Sequence, residues 1–240
     1  MANYVSDTDK IWVDSVSSDT LGLFVDTLGI PPMATQRYNS WTTRADEDGF
    51  SADDTYNDIS YSVELIKFYP TALDDQYIHN YFKNPEKLQL SCKPNVFYKV
   101  TSFSLEQPEN LLGKRYKYRA NFTLSPFAYS VDDELTEYSN GDAVTYIGTR
   151  YGKPLITIKG GGAESTVRIT INGYSIQIND VQTGEVLYID SEQKLVRDNN
   201  GQMIYNRVSG RYPILDFGSS TISWTGELEY LKMIKNERWL

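Results

Sequence analysis

The 240-residue sequence is poor in the residues that carry most metal-binding and redox chemistry. It has one cysteine, Cys92, and one histidine, His79. A single cysteine cannot close an intramolecular disulfide, and one thiol with one imidazole cannot complete a structural zinc site. Basic residues are scarce too, since 23 Lys and Arg against 32 Asp and Glu leave a net charge of -9. Because nucleic-acid binding requires neutralisation of phosphates, this balance argues against a nucleic-acid partner.

Long apolar runs are also missing. No stretch approaches the ~20 apolar residues that span a bilayer, so we expect no membrane partner. Residues 1–7 have neither the basic nor the apolar region of a secretory signal, which predicts synthesis in a cytoplasm. A hydrophobic content of 40% with 23% charged residues is nevertheless that of a folded chain, and its length allows one or two domains.

None of the motifs that could carry chemistry has the partners it needs. His79 is isolated on a predicted helix, and a calcium loop starting at Asp46 would have Asn57 where a bidentate glutamate is required. The three glycines at 160–162 precede a strand pattern rather than a helix, unlike a dinucleotide-binding turn. Carboxylates are plentiful, but no spacing singles out a catalytic pair. We therefore expect no enzymatic activity, no metal and no cofactor.

The N-terminal half combines strand patterns with one helix. Apolar residues alternate with polar ones over residues 59–65, which predicts a half-buried strand. Thr71 followed three residues later by Asp74 then predicts the start of a helix over residues 72–83. Further strands are expected at residues 96–105 and 115–124. The apolar residues expected to share one face of the helix are Leu73, Tyr77, Tyr81 and Phe82.

The C-terminal half has the pattern of an antiparallel β-sandwich. Asn172 and Gly173 separate two alternating apolar runs, which predicts a two-residue hairpin with Ile171 opposite Tyr174. Turn residues separate further short strand patterns, as in sandwich folds. These patterns cover residues 186–189, 203–205 and 221–224. An acidic stretch without periodicity predicts a linker at residues 134–142, between domains at residues 1–133 and 143–240.

The order of several motifs resembles that of the distal tail protein family of long-tailed phages with non-contractile tails. The resemblance extends over nearly the whole chain, and the order of the segments is more specific than any one of them. In the second segment, Arg44, Asp48 and Gly49 match the family pattern. The segments are residues 21–32, 41–50, 88–92, 119–129, 154–160, 189–192, 199–201, 217–222 and 237–239.

This resemblance implies a mainly β fold, in which an N-terminal β-barrel-like domain with one helix and a long loop precedes a galectin-like sandwich. It implies a structural protein of the virion tail tip, a baseplate hub that forms a sixfold ring and joins the tail tube to the adhesion device. The implied partners are further copies of the chain, the tail tube protein, the tail-associated hub protein and receptor-binding proteins. No reaction is implied.

The resemblance also locates the candidate contact residues. The long loop over residues 37–57 matches a segment that reaches the neighbouring subunit in the family. Its candidate interface residues are Trp41, Arg44, Asp48, Phe50 and Tyr56. In the outward-pointing domain, aromatic residues are the candidate contacts with adhesion proteins. These residues are Tyr212, Trp224, Tyr230 and Trp239.

Two other functions remain open at this point. The same aromatic residues could stack on sugars, as in a carbohydrate-binding sandwich module that recognises the host surface. However, galectins bind sugar with a histidine, asparagine and arginine cluster near a tryptophan, and the C-terminal half contains no histidine. The second alternative is a hydrolase of cell-wall glycan, for which the sequence offers carboxylates without a distinctive arrangement.

Overall fold

The computed structural model describes residues 9–43, 47–111, 114–163 and 165–240, without the side chains of residues 38–43, 47–54 and 72. The chain divides into two compact units, Met1–Val131 with Leu240 and Asp132–Trp239. Both are built from antiparallel sheets, and the prediction of a mainly β fold with one helix is confirmed.

The first unit contains ten strands and one α-helix among its described residues. A short 3-10 turn covers Ser18–Leu21, and the helix, α1, is Ala72–Tyr81. The strands are β1 (Ile11–Val13), β2 (Val16–Ser17), β3 (Leu23–Thr27), β4 (Gln36–Thr43), β5 (Glu47–Tyr56), β6 (Ile59–Phe68), β7 (Lys87–Leu90), β8 (Lys93–Leu105), β9 (Glu109–Leu111) and β10 (Arg115–Ser130).

A large sheet in the order β2-β1-β7-β8-β10-β6-β3 forms the body of this unit, and β9 also pairs with β10. Strand β10 pairs with β6 in an unbroken register from Arg115 opposite Phe68 to Leu124 opposite Ile59. Alternate residues of both strands are buried, as the period of two predicts. The buried residues of β10 in this stretch are Tyr118, Ala120, Phe122 and Leu124.

The start of α1 is fixed by the pair expected from the sequence. The backbone N–H of Thr71 donates to the Asp74 carboxylate at 2.6 Å, and the Thr71 hydroxyl donates to the same oxygen at 2.7 Å. Lys67 lies 2.9 Å from the other Asp74 oxygen. These hydrogen bonds from Thr71, and then the one from Lys67, lower the pKa of Asp74 to about 2. The charged carboxylate therefore stabilises the helix start at every pH above the acidic range.

The helix buries a narrower face than its spacing suggests. Ile78 and Phe82 are buried, and the Phe82 ring stacks on Phe103 with 5.0 Å between ring centroids. Leu73 and Tyr77 instead stay 59% and 57% exposed, although they have helical spacing to the buried residues. The apolar packing of the predicted face is therefore confined to its C-terminal end. The first turn contacts the sheet through polar groups instead, since Asp74 pairs with Lys67 and Asp75 accepts a hydrogen bond from the Tyr118 hydroxyl.

The second unit consists of short strands and one 3-10 turn, Tyr205–Arg207. Its strands are β11 (Thr136–Tyr138), β12 (Ala143–Tyr146), β13 (Leu155–Gly160), β14 (Ser165–Ile171), β15 (Tyr174–Val181), β16 (Val186–Asp190), β17 (Leu195–Asp198), β18 (Val208–Gly210), β19 (Gly218–Thr225), β20 (Leu228–Ile234) and β21 (Arg238–Trp239).

Two five-stranded sheets form the predicted sandwich, in the orders β11-β20-β13-β16-β17 and β12-β19-β14-β15-β18. Alternate residues of both sheets meet in one apolar core. The predicted hairpin register is confirmed, because Ile171 pairs with Tyr174 and Ile169 pairs with Ile176. Its turn residues Asn172 and Gly173 both have positive φ, at 51° and 73°, as a type I′ turn requires.

Two details of the second unit differ from the sequence predictions. Thr136–Tyr138, expected in the linker, forms β11 and pairs with β20. The linker prediction was wrong there because a three-residue edge strand is too short to show periodicity. Residues 203–205, expected as a strand, contain one isolated bridge at Met203 and the start of the 3-10 turn.

The start of the second unit gives a testable boundary. Residues 132–239 expressed alone should fold and unfold in one cooperative transition. A fragment starting at residue 143 lacks β11 and Asp133, whose carboxylate accepts the backbone N–H groups of Lys235 and Glu237. Because hydrogen bonds to charged groups contribute about 1.5–3 kcal/mol each, urea denaturation followed by circular dichroism should show a loss of at least about 3 kcal/mol. Equal stability of the two fragments would contradict this boundary.

The hairpin turn allows a second test. Gly173→Val should lower the free energy of unfolding by about 1–3 kcal/mol, because a β-branched residue is forced into the left-handed region. No atom lies within 4 Å of a Cβ built at this position, so the loss arises from the backbone alone. Gly173→Asn is the matched control, since asparagine tolerates positive φ. Thermal melts showing equal losses for Val and Asn would mean that backbone strain is not the cause.

Candidate functional site

The described residues contain no cluster of metal-binding side chains. No group of three or more His, Cys, Asp and Glu side chains in this part of the chain could hold a metal ion. His79 and Cys92 are both exposed. In the same part of the chain, no helix has the length and apolarity needed to cross a membrane.

The glycines at 160–162 have a structural explanation. A Cβ at Gly160 would collide with the backbone carbonyl of Gln182, and one at Gly161 would lie 2.9 Å from the backbone of Leu228 and Glu229. The strands approach too closely for a side chain at either position. This close packing accounts for Gly160 and Gly161 without a phosphate ligand.

The segment expected as a long loop forms a β-hairpin instead. β4 and β5 pair in a two-stranded sheet of their own, and neither pairs with another strand among the described residues. We call this hairpin, Gln36–Thr43 with Glu47–Tyr56, the arm. Trp41 pairs with Gly49 and Phe50 pairs with Ser40, so positions 41 and 50 belong to opposite faces of the arm. Arg44 and the side chains of Trp41, Asp48 and Phe50 lie outside the described part of the chain.

The base of the arm is anchored in the first unit. Tyr56 is 8% exposed, and its ring packs edge-on against Phe127 with 5.5 Å between centroids. Arg37 donates from Nε to the Asn57 side-chain oxygen at 2.7 Å. Tyr56, a sequence candidate for the subunit interface, therefore belongs to the core of its own subunit. This correction leaves positions 41, 44, 48 and 50 as the arm's candidate contacts.

The outward face of the β6–β10 pair is polar and carries an ion network. Glu64 lies 2.6 Å from both Lys117 and Arg119, and Lys117 is also 3.6 Å from Asp26. The hydrogen bonds from Lys117 and then Arg119 lower the pKa of Glu64. The two carboxylates of the network balance its two cationic groups, so the network gives this face no net positive charge that would attract a polyanion.

The candidate contact residues of the second unit differ in exposure. Tyr212 and Trp224 are half-buried against the sandwich core, and burial raises the pKa of Tyr212. Lys232 covers the ring of Tyr230, with its Nζ 4.7 Å from the centroid. Trp239 is half-buried as well. The structure therefore does not bring these four residues together as one exposed aromatic surface.

Other aromatic residues of this unit are more exposed. Phe217 is 79% exposed, Tyr205 62% and Tyr188 37%. The sequence contains a signal for Tyr188, because Leu187 and Ile189 on either side of it are buried and alternation directs the residue between them outward. Tyr205 and Phe217 lie outside regular alternation, and no comparable pattern identifies them.

Comparison with known proteins finds a similarity in structure rather than in sequence. No family model and no curated protein matches the sequence. Among solved structures, the chain is similar to the crystal structure of the SPP1 Dit protein (gp 19.1), which is described as a paradigm of the hub adsorption apparatus in phages that infect Gram-positive bacteria. The two chains are 13% identical, with a TM-score of 0.68 over 97% of this chain and 99% of the other. This chain therefore has the fold of a distal tail protein over nearly its whole length.

Proposed function

We propose that this protein is a structural hub of a phage tail tip, in which the first unit builds a ring and the second unit holds adhesion proteins. The observation that carries the proposal is the fold similarity, which includes both units and nearly all of the SPP1 Dit chain. The site supports it, because the described residues offer exposed surfaces and an arm rather than a reaction centre. The protein is accordingly proposed to be a virion component without enzymatic activity.

The arm is the element best suited to self-association. Its two strands pair only with each other among the described residues, which leaves both outer edges of the hairpin without strand partners. Unpaired strand edges are templates for pairing with another chain, and proteins normally cover them. A neighbouring copy that receives the arm would provide such cover. A head-to-tail contact of this kind closes into a ring when the rotation between copies permits it.

Because the arm has candidate anchors on both faces, we expect each face to contact a different surface of the neighbouring copy. Positions 41 and 50 belong to opposite faces, so Trp41 and Phe50 would be anchors on different surfaces of the neighbour. Large aromatic residues carry most of the binding energy in many interfaces. Two charged residues of this segment of the sequence, Arg44 and Asp48, would add orientation and specificity more than affinity. The sixfold number of copies follows from the family resemblance.

The ring proposal is tested with the full chain. The wild-type protein should form rings, and Trp41→Ala should weaken association about thirtyfold, as expected for an interface hot spot of ~2 kcal/mol. Phe50→Ala should have a similar effect. Light scattering after size-exclusion chromatography, over a range of protein concentrations, measures the change.

Two controls make this test specific. Ser51→Ala changes a small residue of the same arm, and Phe217→Ala removes a highly exposed aromatic residue from the second unit, so neither should alter the ring. If the wild type forms rings and both arm variants form them equally well, the anchor assignment is wrong. A wild-type chain that stays monomeric at every concentration would contradict the ring itself.

A further inference from the structure

The second unit has a groove that the hub function does not use. It lies on the outer face of the β13-β16-β17 part of the sheet and has a volume of ≈ 380 Å³. This is within the range of small-molecule pockets, about 300–1,000 Å³. Leu155 and Leu195 contribute apolar surface to it, and Tyr188 lines it with a 37% exposed side chain.

A row of three neighbouring side chains begins at the groove with Tyr188 and continues through Arg197 to Met203. Tyr188 pairs with Arg197 across β16 and β17, and Arg197 forms a bridge with Met203. Residues paired in this way share one face of a sheet, so the three side chains are neighbours. Met203 is 43% exposed, and the Tyr205 hydroxyl contacts its sulfur at 2.6 Å. The result is an exposed surface of two tyrosines and one methionine around a guanidinium group.

Two carboxylates are held in fixed positions at the rim. One oxygen of Asp190, Oδ1, accepts the backbone N–H groups of Glu192 and Gln193, both at 2.8 Å. Asp198 Oδ1 accepts those of Asn200 and Gln202 at 2.9 and 2.8 Å. Within the described residues, the second oxygen of each carboxylate accepts no hydrogen bond. Both aspartates line the groove. Because the backbone hydrogen bonds already hold these side chains in place, a ligand that binds them loses little additional side-chain entropy.

Planar donors complete the lining. Arg197 donates from one Nη to Gln193 at 3.1 Å, and its buried Nε has no partner among the described residues. The hydroxyl of Tyr188 is 3.5 Å from the Asn199 side-chain oxygen, a long contact that a ligand can replace. The groove therefore offers donors and acceptors on two rim turns beside an aromatic ring.

We propose that this groove binds a neutral saccharide. The apolar C–H face of a sugar ring packs on an aromatic side chain such as Tyr188, while adjacent sugar hydroxyls donate to fixed carboxylates and accept from guanidinium and amide groups. Two carboxylates against one guanidinium give the groove a net negative charge, which disfavours phosphate-bearing ligands. Its concave lining combines apolar surface from Leu155, Leu195 and Tyr188 with polar groups at the rim. Such a site suits a small polyhydroxylated ligand with one apolar face, whereas a protein partner would need a broad apolar centre.

The proposed site goes beyond the hub function and does not depend on ring formation. It also differs from the sugar-stacking residues considered from the sequence, since Tyr212, Trp224, Tyr230 and Trp239 do not line the groove. A phage tail tip that binds saccharide through this groove would contact the host surface directly, in addition to holding adhesion proteins.

The experiment uses the full chain on an array of neutral hexose and N-acetylhexosamine oligosaccharides, with sialylated and phosphorylated oligosaccharides as the anionic arm. We expect binding to neutral oligosaccharides, followed by titration calorimetry with the best of them. Tyr188→Ala should weaken this binding at least about tenfold because the stacking surface is lost. Tyr188→Phe keeps the ring and should stay within about threefold of wild type.

The control is Phe217→Ala, which removes an exposed aromatic residue of the same unit outside the groove and should leave binding unchanged. Circular dichroism of each variant shows whether the fold is intact. If the Ala variant unfolds, the array result for the wild-type chain still decides whether neutral oligosaccharides bind. The proposal is overturned if no neutral oligosaccharide binds, if only anionic ones bind, or if folded Tyr188→Ala binds as well as wild type. Binding of tail proteins at the groove without any saccharide would likewise replace it with a protein-docking site.

Discussion

Strand β10 is the element on which the first unit depends, because it is hydrogen-bonded to neighbours on both sides. β6 lies on one side, and β8 with β9 on the other. Its alternation of core residues, such as Tyr118 and Phe122, with outward residues, such as Lys117 and Arg119, fixes the core and the polar face together. A one-residue slip would exchange the two sets. The ion network at Glu64 on one face and the core packing on the other therefore both depend on the register between β10 and β6.

The second unit is fixed at both of its chain ends by polar groups. The two oxygens of Asp133 accept the backbone N–H groups of Lys235 and Glu237 at 3.0 and 2.8 Å. The Tyr146 hydroxyl donates to the Arg150 carbonyl at 2.5 Å and accepts from the backbone N–H of Arg238 at 3.1 Å, while burial raises its pKa to about 12. A sandwich held in this way can carry long turns at its rim, including those that form the groove, without loss of register.

The sequence was most informative where one face of an element is buried. The Asn172-Gly173 hairpin could be predicted to the residue pair because its apolar alternation and its turn agree. The arm could not be predicted as strands, because polar residues follow polar ones over most of its length and no apolar alternation marks a buried face. Leu73 and Tyr77 show the opposite error, since helical spacing identifies a face without showing how much of it the sheet covers. The groove beside Tyr188 depends on two turns meeting in space, which no local pattern contains.

The composition of the arm bears on how it would assemble. A two-stranded hairpin is only marginally stable by itself in water, so a long arm gains most when a partner covers it. β5 contains four acidic residues, Glu47, Asp48, Asp53 and Asp54, and like charges oppose edge-to-edge pairing between two free arms. A neighbour that receives the arm at a different surface avoids this repulsion, because the contact is then head-to-tail rather than arm-to-arm. In the proposed assembly, the same charges would therefore favour a head-to-tail contact, which closes into a ring when the rotation between copies permits it.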